Sequence, residues 1–171
     1  MRPTFLALTL LATALGAQAP APVSAPDPFA PVRFLVGEWT GEGGGRPGQS
    51  SGVATFRFEL GGQVLMRRSF ADSAAAGGRP ATHHEDLMTV FSEGGTLKAF
   101  YLDNEGHVIR YLVSAAPEGA VFTSESTPGP RFRLTYLRKS EALVTLRFEI
   151  APPNKPEAFA TYLEAVTRKV R

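Results

Sequence analysis

The sequence contains no cysteine, so neither disulfide bonds nor thiolate chemistry contributes to its stability or function. A fold built from this chain must therefore be stable without disulfide bonds. The sequence also lacks a strong excess of one charge, since 18 Lys and Arg side chains oppose 16 Asp and Glu side chains. No stretch combines clustered basic residues with aromatic residues, so we expect no nucleic-acid partner.

Several motifs of common enzyme classes are also missing. The sequence has no Gly-x-Ser-x-Gly elbow, no phosphate-binding loop and no dinucleotide fingerprint. The run Gly43–Gly45 is not followed by a helical pattern, so it is interpreted as a bend in a strand. After the first 19 residues no apolar run approaches the roughly 20 residues that a membrane-spanning helix needs.

The N-terminal residues have the pattern of a secretory signal peptide. Arg2 supplies a positive charge, Phe5–Leu15 is apolar, and small residues follow. We therefore predict a cleaved signal peptide over residues 1–19 and a periplasmic or secreted mature protein; a retained N-terminal anchor is the alternative. Residues 20–31 are rich in proline and alanine and are predicted to form an extended tether, which leaves residues 32–171 for the folded domain.

From Gly37 onward, apolar and polar residues alternate as they do in half-buried β-strands. Turn sequences such as Gly61–Gly62, Gly94–Gly95 and Asp103–Gly106 separate the alternating runs. A short helical turn is predicted between Phe29 and Val36. About ten strands are predicted, over residues 37–45, 53–60, 63–70, 84–91, 96–102, 107–114, 120–126, 131–138, 142–151 and 159–170.

Consecutive antiparallel strands with short connections form a meander. We predict an all-β, ten-stranded, up-and-down antiparallel barrel, because closure removes the exposed edges of the sheet. A two-sheet sandwich is the alternative, and the absence of long helical crossovers excludes a parallel sheet. A barrel of more than eight strands encloses more space than its own side chains usually fill. The predicted fold therefore has room inside for a small ligand.

The segment Phe34–Gly45 carries the pattern Leu-x-Gly-x-Trp-x-Gly-x-Gly. It resembles the opening strand of the nitrobindin-like and lipocalin-like (calycin) barrels, and the chain also resembles secreted bacterial lipocalin-like proteins of unassigned function. The resemblance implies that Gly37 lets the first strand bend at the base of the barrel and that Trp39 plugs this end. It also implies that Arg168, on the last strand, covers the indole ring.

Nitrobindins bind haem iron through a histidine in the C-terminal part of the chain. Here Phe159–Arg168 contains no histidine, and the three histidines are His83, His84 and His107. We therefore expect neither haem nor another cofactor.

The segment His83–Asp86 is the densest group of side chains that can carry chemistry. Alternation along a strand places His84 and Asp86 on one face. A divalent metal could recruit both, with His107 as a third ligand from a neighbouring strand. A solvated entry to a strand is the favoured interpretation, and no metal is predicted.

If Trp39 points inward, strand alternation also sorts the other polar candidates. It places Arg68 inside the barrel together with Val64, Met66 and Phe70, and Asp86 on the next strand then becomes the partner of this cation. An internal salt bridge or a surface position for Arg68 is the alternative. The predicted ligand-binding set, in which Arg68 and the tyrosines hold a carboxylate or another polar head group, is Arg68, Asp86, Tyr101, His107, Tyr111 and Tyr136.

Together these patterns predict an exported β-barrel that binds a small, mainly hydrophobic ligand in its interior. Two alternatives stay open. A barrel enzyme of the isomerase or lyase type needs an acid–base set, for which Asp86, His107 and Tyr111 are the candidates. A ligand-free structural or interaction module of the cell envelope would instead have a solidly packed interior.

Overall fold

The computed structural model describes residues 26–42, 51–75, 78 and 80–170. A 3-10 turn, Arg33–Leu35, precedes the first strand, as predicted, and a second 3-10 turn, Leu60–Gly62, joins the second and third strands. The predicted signal peptide at residues 1–19 and the bend at Gly43–Gly45 lie outside the described residues. The strands are β1 Gly37–Glu42, β2 Ser51–Glu59, β3 Val64–Ser73, β4 Thr82–Glu93, β5 Thr96–Asp103, β6 Val108–Ala116, β7 Gly119–Ser124, β8 Arg131–Arg138, β9 Leu143–Ala151 and β10 Ala160–Lys169.

The ten strands close into one barrel in which every strand pairs antiparallel with its neighbours in sequence. The first and last strands complete the ring, with Trp39 opposite Lys169 and Glu42 opposite Val166. The predicted all-β, up-and-down closed barrel is confirmed, and the sandwich alternative is wrong. Because β1 and β10 are joined, none of the described strands is left as a free edge.

The two ends of the barrel differ in the length of their connections. At one end the strands are joined by residues 60–63, 94–95, 117–118 and 139–142, and we call this the closed end. The tightest turns there use glycines with positive φ, including Gly61 at 65° and Gly95 at 79°. At the open end the connections are residues 43–50, 74–81, 104–107, 125–130 and 152–159.

The segment before β1 packs into the closed end. Phe29, Val32 and Leu35 are buried in the core, and the ring of Phe29 meets the ring of Phe58 edge-on with centroids 5.2 Å apart. Residues 20–25 of the predicted tether lie outside the described residues. Residues 26–31 are described, and the chain turns there instead of staying extended, because the apolar ring of Phe29 fills the end of the barrel.

Gly37 and Trp39 lie at this closed end. Gly37 has φ of 132°, a conformation that side chains disfavour. Trp39 is 2% exposed, and its indole N–H donates a hydrogen bond to the Leu35 carbonyl at 2.7 Å. The prediction that Arg168 covers the indole is wrong, because the register pairs Trp39 with Lys169 and leaves Arg168 on the outward face. The Lys169 ammonium lies 5.5 Å from the centre of the indole ring.

Candidate functional site

The barrel interior has two levels. Near the closed end the inward-facing side chains, such as Leu65, Val90 and Phe122, are fully buried. Nearer the open end, inward-facing side chains such as Ile109 and Phe132 are only half-buried. A side chain that faces the interior and still meets solvent must border open space. We call this space the cup.

The walls of the cup have different compositions on opposite sides. On β2, β3 and β10 the inward-facing positions hold small side chains, Ala54, Ser69 and Ala165. On β8 and β9 the rings of Phe132 and Phe148 stack with centroids 5.9 Å apart and planes within 9°. The small side chains leave room, and the rings offer an apolar surface to whatever occupies it.

A cleft of about 290 Å³ lies beside the end of β7. Its lining includes the inward-facing Ile109, Ser124 and Phe132 together with the exposed Val108. The cleft forms because β7 ends at Ser124, whereas the neighbouring strands β6 and β8 extend further toward the open end. Outward-facing residues such as Arg110 line it as well.

The floor of the cup is a buried ion pair. Arg67 on β3 and Asp86 on β4 are both buried, and one guanidinium nitrogen, Nη2, lies 3.1 Å from Asp86 Oδ2. Three tyrosines, Tyr101, Tyr111 and Tyr136, face Arg67 closely enough to interact with its charge. Such a pair is costly to bury unless its remaining polar atoms also find partners.

Aromatic packing fixes the tyrosines of the floor. The ring of Tyr136 meets Phe56 and Phe122 edge-on with centroids 5.8 Å and 5.7 Å away, and Tyr111 meets Phe122 at 6.2 Å. Edge-to-face contacts of this kind hold each ring in one orientation. The aromatic contacts therefore hold the Tyr136 phenol in a fixed position near Arg67.

The pairing of the floor is incomplete. Among the described residues, the buried side-chain atoms without a hydrogen-bond partner include Arg67 Nε, Asp86 Oδ1 and the Tyr136 hydroxyl oxygen. Buried polar groups in folded proteins are almost always hydrogen-bonded to protein or water. All three atoms are also shielded from solvent, so the cluster is an incompletely bonded part of the core.

Burial also shapes the charges of this cluster. Burial raises the pKa of Asp86, while the charges of Arg67 and His84 oppose this rise. Burial acts to lower the pKa of Arg67, but its interactions with Tyr136 and Asp86 outweigh burial, so the pKa lies above its usual value. Burial raises the pKa of Tyr136 as well, so its hydroxyl stays neutral. The floor therefore combines the Arg67 cation, the Asp86 carboxylate that pairs with it and neutral phenols.

A second polar network follows the rim between β4 and β6. His84 contacts the Tyr101 hydroxyl at 3.2 Å through Nε2 and Glu105 Oε1 at 3.0 Å through Nδ1. The Tyr101 hydroxyl donates to Asp103 Oδ2 at 3.2 Å. Asp103 also accepts the backbone N–H of His107 at 2.9 Å, and its Oδ2 lies 2.8 Å from His107 Nδ1. This network closes the turn between β5 and β6.

Of the predicted ligand-binding residues, the structure brings four together around the floor. Asp86, Tyr101, Tyr111 and Tyr136 all face the interior near Arg67. His107 instead lies at the rim, where its side chain is 56% exposed and bonds to Asp103. His107 therefore pairs with Asp103 instead of joining Asp86 and Tyr111 in the predicted acid–base set.

The prediction that Arg68 faces the interior is wrong. The register places Phe58 opposite Leu65 and Phe56 opposite Arg67, so the neighbouring arginine, Arg67, carries the buried charge. Arg68 is exposed and borders a cleft of about 200 Å³ on the outer surface. The misleading signal was apolar content, since Val64, Met66 and Phe70 lie on the outward face and Phe70 is 45% exposed. The length of the connection between β2 and β3 carried the correct information. With residues 60–63 between the strands, the outward-facing Glu59 pairs with Val64, so Val64 also faces outward.

Two further properties concern only the part of the chain that the structure describes. No three His, Asp or Glu side chains there are arranged to hold a metal ion. No helix there has the length and apolar character needed to cross a membrane.

The geometry thus defines a class of architecture: a closed ten-stranded meander barrel, consistent with the calycin-like barrels, with an open cup over a polar floor. The chain matches no known protein-family model, and no curated protein matches it significantly.

Proposed function

We propose that this chain is an exported binding protein of the nitrobindin-like or lipocalin-like type, which holds a small, mainly hydrophobic ligand in the cup. The observation that carries the proposal is the set of inward-facing apolar side chains, such as Ile109 and Phe132, that remain half-buried near the open end of the barrel.

The walls of the cup support a hydrophobic ligand body. Phe132, Phe148, Ile109 and Leu146 face the interior and are only half-buried, so a bound apolar chain or ring would cover them further. Burial of apolar surface contributes about 25 cal/mol for each Å² removed from water. A few such contacts are enough to hold a small ligand.

The proposed export rests on the sequence alone. Arg2 and the apolar Phe5–Leu15 have the pattern of a signal peptide, and the resemblance to secreted lipocalin-like proteins agrees with it. N-terminal sequencing of the protein recovered from a bacterial periplasm tests this part. A mature chain that starts near residue 20 supports export, whereas an intact N-terminus in the cytoplasm contradicts it.

The test of ligand binding uses the neutral fluorescent probe N-phenyl-1-naphthylamine, which brightens in apolar surroundings. We expect saturable binding to the wild-type protein, and loss of at least about tenfold in affinity for Ala165→Phe, because the new ring occupies the cup. Val166→Phe is the matched control, since Val166 is the next residue on β10 and faces outward.

Both variants should keep the wild-type circular dichroism spectrum. The proposal fails if the probe does not bind the wild-type protein. It also fails if Ala165→Phe and Val166→Phe bind the probe equally well, because binding would then lie outside the cup.

A further inference from the structure

A row of aromatic side chains crosses the inner face of the barrel at its open end. Phe132 on β8 and Phe148 on β9 face the interior, and their rings stack with planes within 9° of each other. The ring of Tyr162 on β10 meets the ring of Phe148 edge-on, with centroids 6.1 Å apart. Three neighbouring strands therefore contribute one ring each, and we call these three side chains the aromatic row.

A β-bulge brings Tyr162 to the aromatic row. On β10, Thr161 pairs with Glu149 and Leu163 pairs with Phe148, so Tyr162 is an extra residue inserted between two ladder pairs. Bulges at the rims of barrels often redirect a side chain in this way. Tyr162 remains 75% exposed although its ring contacts Phe148, so most of its surface is open to a ligand.

The aromatic row borders accessible space. Phe132 and Phe148 are half-buried, and Phe132 lines the cleft of about 290 Å³ beside the end of β7 together with the inward-facing Ile109. Sites for small molecules usually have volumes of roughly 300–1,000 Å³, so this cleft is at the lower end of the range. The space beside the row therefore suits a compact ligand.

The side chains beneath the row are buried. Leu134, two residues further along β8 toward the closed end, is 6% exposed, and Phe122 opposite it on β7 is fully buried. On this side of the barrel a long flexible chain would find no depth to enter and would leave much of its length in water. A flat ligand needs no such depth, because it can lie against the rings.

The geometry of the row favours an aromatic ligand over a saturated one of the same size. Aromatic pairs in stacked or edge-on arrangements gain free energy beyond that of the area they bury. Phe132 and Phe148 are already held in a parallel stack, so a further planar ring can join them with little ordering of the site. A puckered saturated ring gains only from the burial of its surface.

Resting on the proposed function, we propose that the ligand is a small planar aromatic compound that packs on the aromatic row, and not a long acyl chain or a saturated ring. This assigns the small hydrophobic ligand to one chemical class. It also places the ligand at the mouth of the cup, above the buried pair of Arg67 and Asp86.

The test measures displacement of N-phenyl-1-naphthylamine from the wild-type protein by 2-naphthalenemethanol and by its fully hydrogenated form, decahydro-2-naphthalenemethanol. The two compounds have the same carbon skeleton and one uncharged hydroxyl group. The hydrogenated compound is the more hydrophobic, so apolar burial alone would favour it. We expect 2-naphthalenemethanol to bind about fivefold more tightly, because only its rings can stack on the row.

Variants of the row should reduce this preference. Phe132→Leu should abolish it, and Tyr162→Leu should lower it to about twofold, because each change removes one ring. Tyr162→Phe should keep the full preference, since it retains the ring. Because Tyr162 is exposed, neither of its variants disturbs the core. Phe70→Leu is the matched control, because Phe70 lies on the outward face of β3 and loses the same ring without effect on the preference.

Two failures are distinguishable. If the wild-type protein binds the probe but binds the hydrogenated compound as tightly as the aromatic one or more tightly, the aromatic class is wrong while the binding function stands. A preference that survives both Phe132→Leu and Tyr162→Leu would also overturn the assignment to the row. If the probe itself does not bind, the proposed function fails. The wild-type comparison decides by itself, so a poorly folding variant does not rescue the proposal.

Discussion

The closed half of the barrel and the cup are built from the same ten strands, yet they use their inward-facing positions differently. Near the closed end, Phe122 is wholly buried and meets two tyrosine rings edge-on. In the cup, the inward-facing Phe132 stacks on Phe148 and remains half-buried. On neighbouring strands, Phe122 is therefore part of the packed core, whereas Phe132 lines the cup.

The comparison shows where stability and recognition reside. The side chains of the closed half are buried, and the segment with Phe29 and Leu35 covers its end. At the boundary between the two halves, the pair Arg67–Asp86 is buried but incompletely bonded. The packed closed half therefore supports stability, whereas the half-buried side chains of the cup are free to contact a ligand.

The largest effect is expected in the closed half. Phe122→Ala should lower the free energy of unfolding by about 4 kcal/mol, because it opens a cavity that the surrounding rings cannot fill. Chemical denaturation measures this change. Thr123→Ala, on the outward face of the same strand, should stay within about 0.5 kcal/mol of the wild type. Equal losses for the two variants would mean that Phe122 is not part of a packed core.

The next effect concerns the boundary pair. Arg67→Met should lower the free energy of unfolding by about 3 kcal/mol, because it leaves the Asp86 carboxylate buried without its partner. Arg67→Met combined with Asp86→Leu should recover most of this loss, since no uncompensated charge remains. Arg68→Met serves as the control and should change stability little. A double variant less stable than the single one would contradict a buried ion pair.

A smaller effect is expected at the rim. Asp103→Ala should cost about 1–2 kcal/mol at neutral pH, because Asp103 accepts the backbone N–H groups of Glu105 and His107 that close the turn. Burial acts to raise the pKa of Asp103, but the hydrogen bonds from His107 outweigh it and lower the pKa.

The sign of the pH dependence follows from that lowered pKa. Asp103 stabilises the fold above the unfolded-state pKa of about 3.9, and this contribution is lost as the pH falls through the lower folded-state pKa. Denaturation from neutral pH down to about pH 2 should therefore show the gap between wild type and Asp103→Ala shrinking toward zero. A gap that persists in acid would contradict this role.

The smallest effect on stability is expected in the cup itself. Phe132→Ala should lower the free energy of unfolding by only about 1 kcal/mol, because the ring is half-buried and contributes mainly its stacking on Phe148. The same change should weaken binding of N-phenyl-1-naphthylamine by about tenfold. A stability loss as large as that of Phe122→Ala, with unchanged probe binding, would mean that Phe132 belongs to a packed core, as Phe122 does, and does not line a binding space.

The strand count and closure could be predicted because alternation and glycine-rich turns are local patterns. Strand alternation from Trp39 also placed Tyr111 and Tyr136 on the face that the structure finds inside. Strand alternation did not identify the buried arginine, because Arg67 and Arg68 are adjacent and face opposite sides of β3. The pairing of Glu59 with Val64 decides which of the two faces the interior.

Other features depend on contacts between distant parts of the chain. Lys169 rather than Arg168 reaches Trp39 because of the register between the first and last strands, which no local pattern encodes. The burial of Phe29 likewise depends on Phe58, which lies on β2. The unpaired atoms of the floor arise where side chains from three strands meet, so sequence alone does not reveal them.

The most direct test is the backbone N–H signal of Phe132 in a ¹H–¹⁵N NMR spectrum, followed while N-phenyl-1-naphthylamine is added. We expect this signal to shift on saturation, because the Phe132 ring faces the cup and is half-buried. The corresponding signal of the exposed Arg57 should not move. Saturable binding that leaves the Phe132 signal unchanged would contradict a ligand in the cup.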